Sequence, residues 1–288
     1  MNASALRLRF RSIAASPVLP FFLFVVALGC VSSDFANVRA SHPPDSSAVL
    51  FRIGERLHYR IDWQKYAGAA YAELDVIDRG SFFGQDAWHF RASVHTAEPA
   101  RAFFPVDDEA DSYARLAGLA SFRYREHFQE AGRPEDTYAE LISTSGASDG
   151  AWTRVVVPDG THDPISAVYS LRETDWRHAS EARIPVYDGE DLCEIAAQSV
   201  GTEKVSVDAG EYIATKIEIR LFENKHEVPG EYFTLWLAND ATQTPVRLDA
   251  QLPLGNLRVE LISAEQAENE SRRQEINPRR RSSLPAEN

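Results

Sequence analysis

The chain has 288 residues, 44% of them hydrophobic and 25% charged, which excludes wholesale disorder, collagen and coiled coil. It carries 30 Lys and Arg against 43 Asp and Glu, a formal net charge of −13. A body this acidic repels phosphate backbones, so we expect no nucleic-acid partner. Two cysteines are too few for a disulfide framework to stabilise a secreted fold, and a buried core must therefore stabilise it.

Residues 1–29 are typical of a secretory signal. Arg7, Arg9 and Arg11 form a positive segment without any acid, and residues 18–28 (VLPFFLFVVAL) form an apolar run. This run is shorter than the roughly 20 residues that a membrane-spanning helix needs. We therefore predict an exported protein, located in the periplasm or anchored to the outer membrane.

The end of this signal resembles that of a lipoprotein. In residues 27–30 (ALGC), Cys30 would be acylated and become the new N-terminus. Ordinary cleavage after Ser33 or Ala40 is the alternative, and the sequence leaves both open. If lipidation occurs, Val31 in place of Asp favours the outer membrane, to which the protein would be attached only through its lipid anchor.

Two polar segments flank the part of the chain that can form a core. Residues 30–49 are predicted to be a flexible tether. Residues 264–288 contain almost no apolar side chain and are predicted to be a disordered polar tail, although it carries several Arg. The remaining residues 50–263 suit one domain without an internal linker or repeat.

Within residues 50–263 the hydrophobic period is two, as in half-buried strands whose successive side chains leave opposite faces of a sheet. We predict an all-β fold, a single antiparallel domain of about eleven strands. A curved sheet closing into a barrel or half-barrel is favoured, and a two-sheet sandwich stays open as the alternative. The clearest alternating runs are 57–63, 88–95, 122–128, 213–221, 246–252 and 257–261.

One segment departs from this period and predicts a short helix over residues 163–173. Asp163 is an acid suited to the N-cap, and Pro164 suits the first helical position. Apolar residues then follow at helical spacing, at Ile165, Val168 and Tyr169. We expect this helix to plug one end of the sheet.

Residues throughout the domain match a known family in that family's order. They are Gly54-Glu55, Leu57, Tyr59, Trp63, Ala67-Gly68, Ala70, Asp163-Pro164, Tyr169, Leu171-Arg172, Val205, Val207, Ala209-Gly210, Tyr212, Leu235-Trp236-Leu237, Asp240, Pro245-Val246 and Leu254-Gly255 through Leu261. On these residues the domain resembles the bacterial exported family called domain of unknown function 3108. Asp208 departs from it, because the family often has Pro there. The resemblance implies an exported, mostly β protein and supplies no established catalytic residue.

No constellation of residues predicts catalysis, a cofactor or a bound metal. His58, His89 and His127 lie on polar strand faces without the spacing of a metal site, and a polar outer face explains them better. The acidic run 107–111 is interpreted as a solvated loop rather than a calcium site. Cys193 has no histidine near it in sequence and is interpreted as a small apolar filler.

The aromatic residues provide the remaining clue to function. We predict a non-catalytic envelope protein that binds an apolar or amphiphilic ligand, or an envelope partner, at one end of the sheet. A structural or assembly factor of the envelope is the first alternative, and an undetected hydrolase or metalloprotein is the second. The candidate ligand contacts are Trp63, Trp88, Trp236, Phe103 and Phe104.

Overall fold

A computed structural model describes residues 50–130, 133–142, 152–253 and 255–265. The predicted signal, Cys30, the tether and the chain after residue 265 lie outside the described residues. The described elements are β1 (Arg56–Trp63), β2 (Tyr66–Phe82), β3 (Gln85–Thr96), β4 (Asp107–Arg115), β5 (Ser121–Glu130), β6 (Arg133–Ile142), β7 (Thr153–Val156), α1 (Pro164–Glu173), β8 (Glu181–Tyr187), β9 (Leu192–Val207), β10 (Gly210–Glu223), β11 (His226–Ala238), β12 (Pro245–Leu252) and β13 (Gly255–Glu265).

The strands form a single sheet, which confirms the all-β class. Their order is β7-β6-β5-β4-β3-β2-β1-β13-β12-β11-β10-β9-β8. In the described part of the chain every neighbouring pair is antiparallel except β6 and β7, which are parallel. The sheet has thirteen strands rather than about eleven and is not closed, because β7 and β8 are its two edges. The first and last strands, β1 and β13, pair in its middle.

A connecting segment brings the two ends of the sheet together. His162 exchanges backbone hydrogen bonds with β8, donating to Pro185 O at 2.9 Å and accepting from Tyr187 N at 2.8 Å. On its other side, Thr161 O accepts from the backbone N of Ser121 at the start of β5. The sheet therefore curls, and this segment lies between the edge strand β8 and β5, which is two strands in from the other edge.

Alternation along each strand separates an apolar inner face from a polar outer face. In β1 the buried residues are Leu57, Tyr59 and Ile61, and the polar residues between them point outwards. The largest cluster of buried side chains joins β1 to β8–β13, and a second one joins β2–β5 to the helix. Cys193 belongs to the first cluster, as an apolar filler would.

The predicted helix is confirmed as α1, and it is packed inside the curled sheet. The Asp163 side chain accepts hydrogen bonds from the backbone N of Ile165 and Ser166, at 2.8 and 2.9 Å, and so caps the first turn. Tyr169 lies in the middle of the helix and stacks on Phe90 of β3, with ring centroids 3.9 Å apart. The helix thus fills the space that the curvature of β2–β5 leaves.

The prediction that residues 107–111 form a solvated loop is wrong. They begin β4, and Asp111 is only 1% exposed. Its carboxylate accepts hydrogen bonds from His89 Nε2 at 2.7 Å and from Arg91 Nε at 2.9 Å, and it also pairs with Arg125. Cations on the two neighbouring strands therefore neutralise the acidic run, and they hold the pKa of Asp111 at about 2 although burial alone would raise it.

Candidate functional site

The outer face of strands β11, β12, β13 and β1 carries two parallel rows of polar side chains. Strand register aligns the first row across the sheet, because Thr234 pairs with Asp249, Asp249 with Arg258, and Arg258 with Asp62. The second row lies one step along the strands. It consists of Tyr232, Gln251, Asn256 and Gln64, and is aligned by two strand pairings and by the hydrogen bond from Gln64 N to Asn256 O.

A third row on the same face is covered by the β9–β10 hairpin. This row contains Trp236, Arg247, Glu260 and Arg60. At one end of the row Glu203 accepts a hydrogen bond from Trp236 Nε1 at 2.6 Å, and at the other end Asp208 forms an ion pair with Arg60. The hairpin tip is also tied to the sheet by the hydrogen bond from Ala209 N to Leu261 O. The first two rows are left open beside the hairpin.

These two rows line a groove of about 450 Å³, which we call the outer groove. That volume lies within the range of small-molecule binding sites in proteins. Tyr232 is 46% exposed there and stands at the end of the second row. The lining residues are Asp62, Gln64, Tyr232, Thr234, Asp249, Ala250, Gln251, Asn256, Leu257 and Arg258.

Ion pairs fix the charged side chains of the outer groove. Asp249 accepts from Arg247 Nε at 2.8 Å and from Arg258 Nε and Nη2 at 3.0 and 3.2 Å. Burial alone would raise the pKa of Asp249, but these hydrogen bonds and charges outweigh it and lower the pKa. Asp62 Oδ1 is held by Arg60 Nε at 3.1 Å and by Gly68 N at 2.7 Å. Asp249 is therefore charged, and both carboxylates are oriented before any ligand arrives.

Other polar groups of the outer groove are not engaged by the described part of the protein. Asp62 Oδ2 and Arg258 Nη1 take part in none of the hydrogen bonds found among the described residues. The same holds for the side chains of Tyr232, Gln251 and Asn256. The outer groove therefore presents acceptors and donors on a rigid backbone, in positions set by the strand register.

Of the five aromatic residues proposed from sequence as ligand contacts, the structure brings only Trp63 and Phe104 together. Trp88 is buried against Phe51, and Trp63 lies edge-on to Phe104 with ring centroids 5.8 Å apart. Trp236 is 5% exposed beneath the hairpin, one row away from the outer groove, whereas Phe103 is 74% exposed in the loop between β3 and β4. Apart from the Trp63–Phe104 pair these candidates occupy separate places, and none of the five lines the outer groove.

The three histidines considered from sequence are also dispersed over the sheet. His58 pairs with Glu73 at 3.3 Å, and His127 pairs with Asp136 at 2.6 Å. His89 packs flat on Tyr113, with ring centroids 4.6 Å apart. Among the described residues, no three His, Cys, Asp or Glu side chains form a group that could hold a metal ion.

A buried acid occupies the interior where the sheet ends approach each other. Glu126, on the inner face of β5, accepts a hydrogen bond from Tyr124 Oη at 2.6 Å. The β8–β9 turn packs directly on it, so that a Cβ added to Gly189 would lie 2.4 Å from Glu126 Oε2. Burial raises the pKa of Glu126 to about 8, and the nearby carboxyl group of Asp188 adds to the rise.

A second buried acid is instead paired with a cation at the C-terminal end of α1. Arg172 donates to Glu55 through Nη1 at 2.6 Å and through Nη2 at 3.1 Å. Arg172 Nη2 also donates to Thr242 O at 3.0 Å, and both side chains are buried. This pair ties the helix to the start of β1 and to the β11–β12 loop.

No described helix has the length and apolar character needed to cross a bilayer.

A protein-family model described as a protein of unknown function, DUF3108, matches residues 57–262. The chain is similar to the crystal structure of a β-barrel-like protein of domain of unknown function DUF1849 from Brucella abortus, at 10% identity and a TM-score of 0.52. That match covers 76% of this chain and 99% of the other, and it supports the fold alone. No curated protein matches the sequence.

Two other solved structures are more distant. One is a protein from Bacteroides fragilis inferred to be exported, with a YmcC-like fold, at 12% identity and a TM-score of 0.36, covering 79% of this chain and 100% of that one. The other is an inferred lipoprotein from Parabacteroides distasonis, at 10% identity and a TM-score of 0.37, covering 75% and 98%. TM-scores this low carry no argument about this chain.

Proposed function

The chain belongs to the DUF3108 family of proteins of unknown function, and from that premise we propose that it is an exported, non-catalytic binding module of the cell envelope that holds a polar ligand in the outer groove. One observation carries this proposal. The outer groove combines a volume of about 450 Å³ with polar groups that the rest of the described chain leaves unengaged. In small-molecule sites, a few fixed polar groups orient the ligand and provide specificity.

The outer groove is a better candidate than an apolar site at one end of the sheet. An apolar ligand would need several of the proposed aromatic contacts on one surface. Trp88 and Trp236 are instead used in packing, and Trp63 and Phe104 pack edge-on against each other. Phe103 is the one candidate that is largely exposed. We therefore replace the apolar or amphiphilic ligand expected from sequence by a polar one.

The electrostatics of the outer groove favour binding over catalysis. A general acid or base works best when its pKa is near the ambient pH. The hydrogen bonds from Arg247 and Arg258 lower the pKa of Asp249, so that this carboxylate holds its charge instead of exchanging a proton. It therefore serves to position Arg258 at the floor of the outer groove.

Export is the part of the proposal that rests on the N-terminal sequence. Three Arg, an apolar run and Cys30 form a signal of the secretory type. Acylation of Cys30 would attach the domain to a membrane through a polar tether of about twenty residues. The outer groove would then face the aqueous compartment of the envelope, where polar ligands are available.

The proposal can be tested by mapping where small molecules bind. The full secreted chain is labelled with ¹⁵N and mixed in turn with neutral sugars, dipeptides, inorganic phosphate and a detergent below its micelle concentration. We expect at least one polar class to shift the amide resonances of Thr234, Gln251 and Asn256. Shifts caused only by the detergent, or no shift in these residues with any class, would contradict the proposal.

A further inference from the structure

We propose that the ligand of the outer groove is a neutral saccharide, which deepens the proposed function and rests on it. The outer groove places one exposed aromatic ring beside a row of planar polar side chains. A sugar presents the matching surface, since one face of its ring carries C–H groups and its edge carries hydroxyl groups. Each feature of the outer groove can be compared with that surface in turn.

The ring of Tyr232 provides the platform, that is, the surface on which the face of a sugar ring can stack. Its ring is half exposed although it lies within a strand, where it pairs with Gln251. The face of an aromatic ring carries partial negative charge and attracts the weakly positive C–H groups of a sugar face. A rigid backbone position also means that the ring loses little freedom when a ligand stacks on it.

The rows beside Tyr232 supply groups for the hydroxyl edge. Asp62 Oδ2 accepts, Arg258 Nη1 donates, and the amides of Gln251 and Asn256 do both. Each of two vicinal hydroxyl groups can donate one hydrogen bond and accept another. Such a pair therefore matches a neighbouring donor and acceptor on planar side chains. The side chains that carry these groups stand on three adjacent strands, with spacing set by register.

The charges explain why a neutral saccharide is favoured over an acidic one. The outer groove holds the carboxylates of Asp62 and Asp249 against the guanidinium of Arg258, and the chain as a whole carries −13. Asp249 already occupies two of the donors of Arg258 through the hydrogen bonds from Nε and Nη2. An anionic ligand would therefore meet a groove whose cation is largely neutralised.

The test is an NMR titration of the full secreted chain with N,N′-diacetylchitobiose and with maltotriose. Tyr232→Ala removes the platform, and Tyr232→Phe keeps the ring without its hydroxyl group. Phe103→Ala is the matched control, because Phe103 is an exposed aromatic residue outside the outer groove. Both side chains are solvent-exposed, so the variants are expected to fold, and an unchanged spectrum of the core checks this.

We expect at least one of the two sugars to shift the resonances of the outer groove in the wild-type chain and in Phe103→Ala. We expect Tyr232→Ala to weaken its binding about tenfold, in line with about 1.4 kcal/mol for a ring contact, and Tyr232→Phe to retain most of it. Equal binding by Tyr232→Ala would overturn the saccharide assignment. The saccharide assignment would also be overturned if dipeptides or phosphate, but no sugar, shifted the resonances of the outer groove. The proposed function would then stand. No shift with any probe would overturn both.

Discussion

Two buried glutamates, Glu55 and Glu126, satisfy the same physical requirement in different ways. Glu55 accepts two hydrogen bonds from the guanidinium group of Arg172, which is a buried cation. Glu126 has a tyrosine hydroxyl group and the acid Asp188 near it, and burial raises its pKa to about 8. The comparison teaches that a buried carboxyl group in this fold is neutralised either by a cation or by a proton. These solutions differ in their response to mutation and to pH.

The largest loss of stability is expected when the buried ion pair between Arg172 and Glu55 is broken. Arg172→Met leaves Glu55 buried without its cation, and we expect the free energy of unfolding to fall by about 3–5 kcal/mol at pH 7. Urea denaturation followed by tryptophan fluorescence measures this loss. The double variant Arg172→Met with Glu55→Gln should recover part of it, because no unpaired charge remains. A loss below about 1 kcal/mol in the single variant would show that the pair does not tie the helix to β1.

The contribution of Glu126 to stability is expected to change with pH in the opposite direction from that of a carboxylate paired with a cation. The folded pKa of Glu126 is about 8 and its ordinary value is 4.5, so the folded state retains a proton that the unfolded state loses. Stability therefore falls as pH rises from about 4.5 to about 8. Glu126→Gln removes this titration, and we expect it to raise the free energy of unfolding at pH 8 by on the order of 3 kcal/mol.

The same variant should behave like the wild-type chain at pH 4, where Glu126 is protonated in both states. Denaturation curves at pH 4 and pH 8 measure the difference. Glu211→Gln, at an exposed position of β10, is the control and should change little at either pH. An equal effect of Glu126→Gln at both pH values would contradict a proton on Glu126.

A third buried acid sharpens the comparison, because hydrogen-bond donors surround it instead of a cation. Asp163 accepts from Ser121 Oγ at 2.5 Å and from the backbone N of Ile165 and Ser166. We expect Asp163→Ala to lower the free energy of unfolding by about 1–2 kcal/mol through loss of the helix cap. Asp163→Asn keeps one side-chain oxygen to accept from the backbone N of Ile165 and Ser166 and loses only the bonds that Oδ2 accepts, such as that from Ser121 Oγ, so it should lose less in the same assay. Equal losses would mean that charge, and not capping, matters here.

The smallest change in stability is expected from removing an ion pair on the outer face of the sheet. Arg258 forms its ion pair with Asp249 in partial contact with solvent, and such pairs contribute roughly 0–1 kcal/mol. Arg258→Met should therefore change the free energy of unfolding by less than about 1 kcal/mol in the denaturation assay, far less than Arg172→Met. A loss as large as that of the buried arginine would assign the outer rows to folding and not to binding.

The sequence predicts the local parts of this structure well. Alternation along single strands separates the inner from the outer face, and Asp163 with Pro164 sets the start of the helix. The acidic run beginning at Asp107 forms a strand and not the predicted solvated loop, because Arg91 and Arg125 on the neighbouring strands neutralise its charges. Such cross-strand compensation depends on register, which a single strand does not reveal.

The candidate site depends even more on contacts distant in sequence. Asp62 and Arg258 are neighbours because β1 pairs with β13, the last strand. The polar side of each strand is visible in the sequence, and Asp249, Gln251 and Arg258 all occupy predicted outward positions. The order of the strands in the sheet is not visible in the sequence, so the sequence does not predict the two rows of the outer groove. The burial of Trp236 is not visible in the sequence for the same reason, because the hairpin that covers it comes from β9 and β10.

The most direct test of the central claim is a crystal structure of the protein with N,N′-diacetylchitobiose. The claim is that the ligand lies on the outer face of the sheet, in the groove beside the β9–β10 hairpin. We predict electron density for the sugar against the Tyr232 ring, within hydrogen-bonding distance of Asp62 and Arg258. Sugar density in the interior near Tyr124 and Glu126, with an unoccupied outer groove, would contradict the claim.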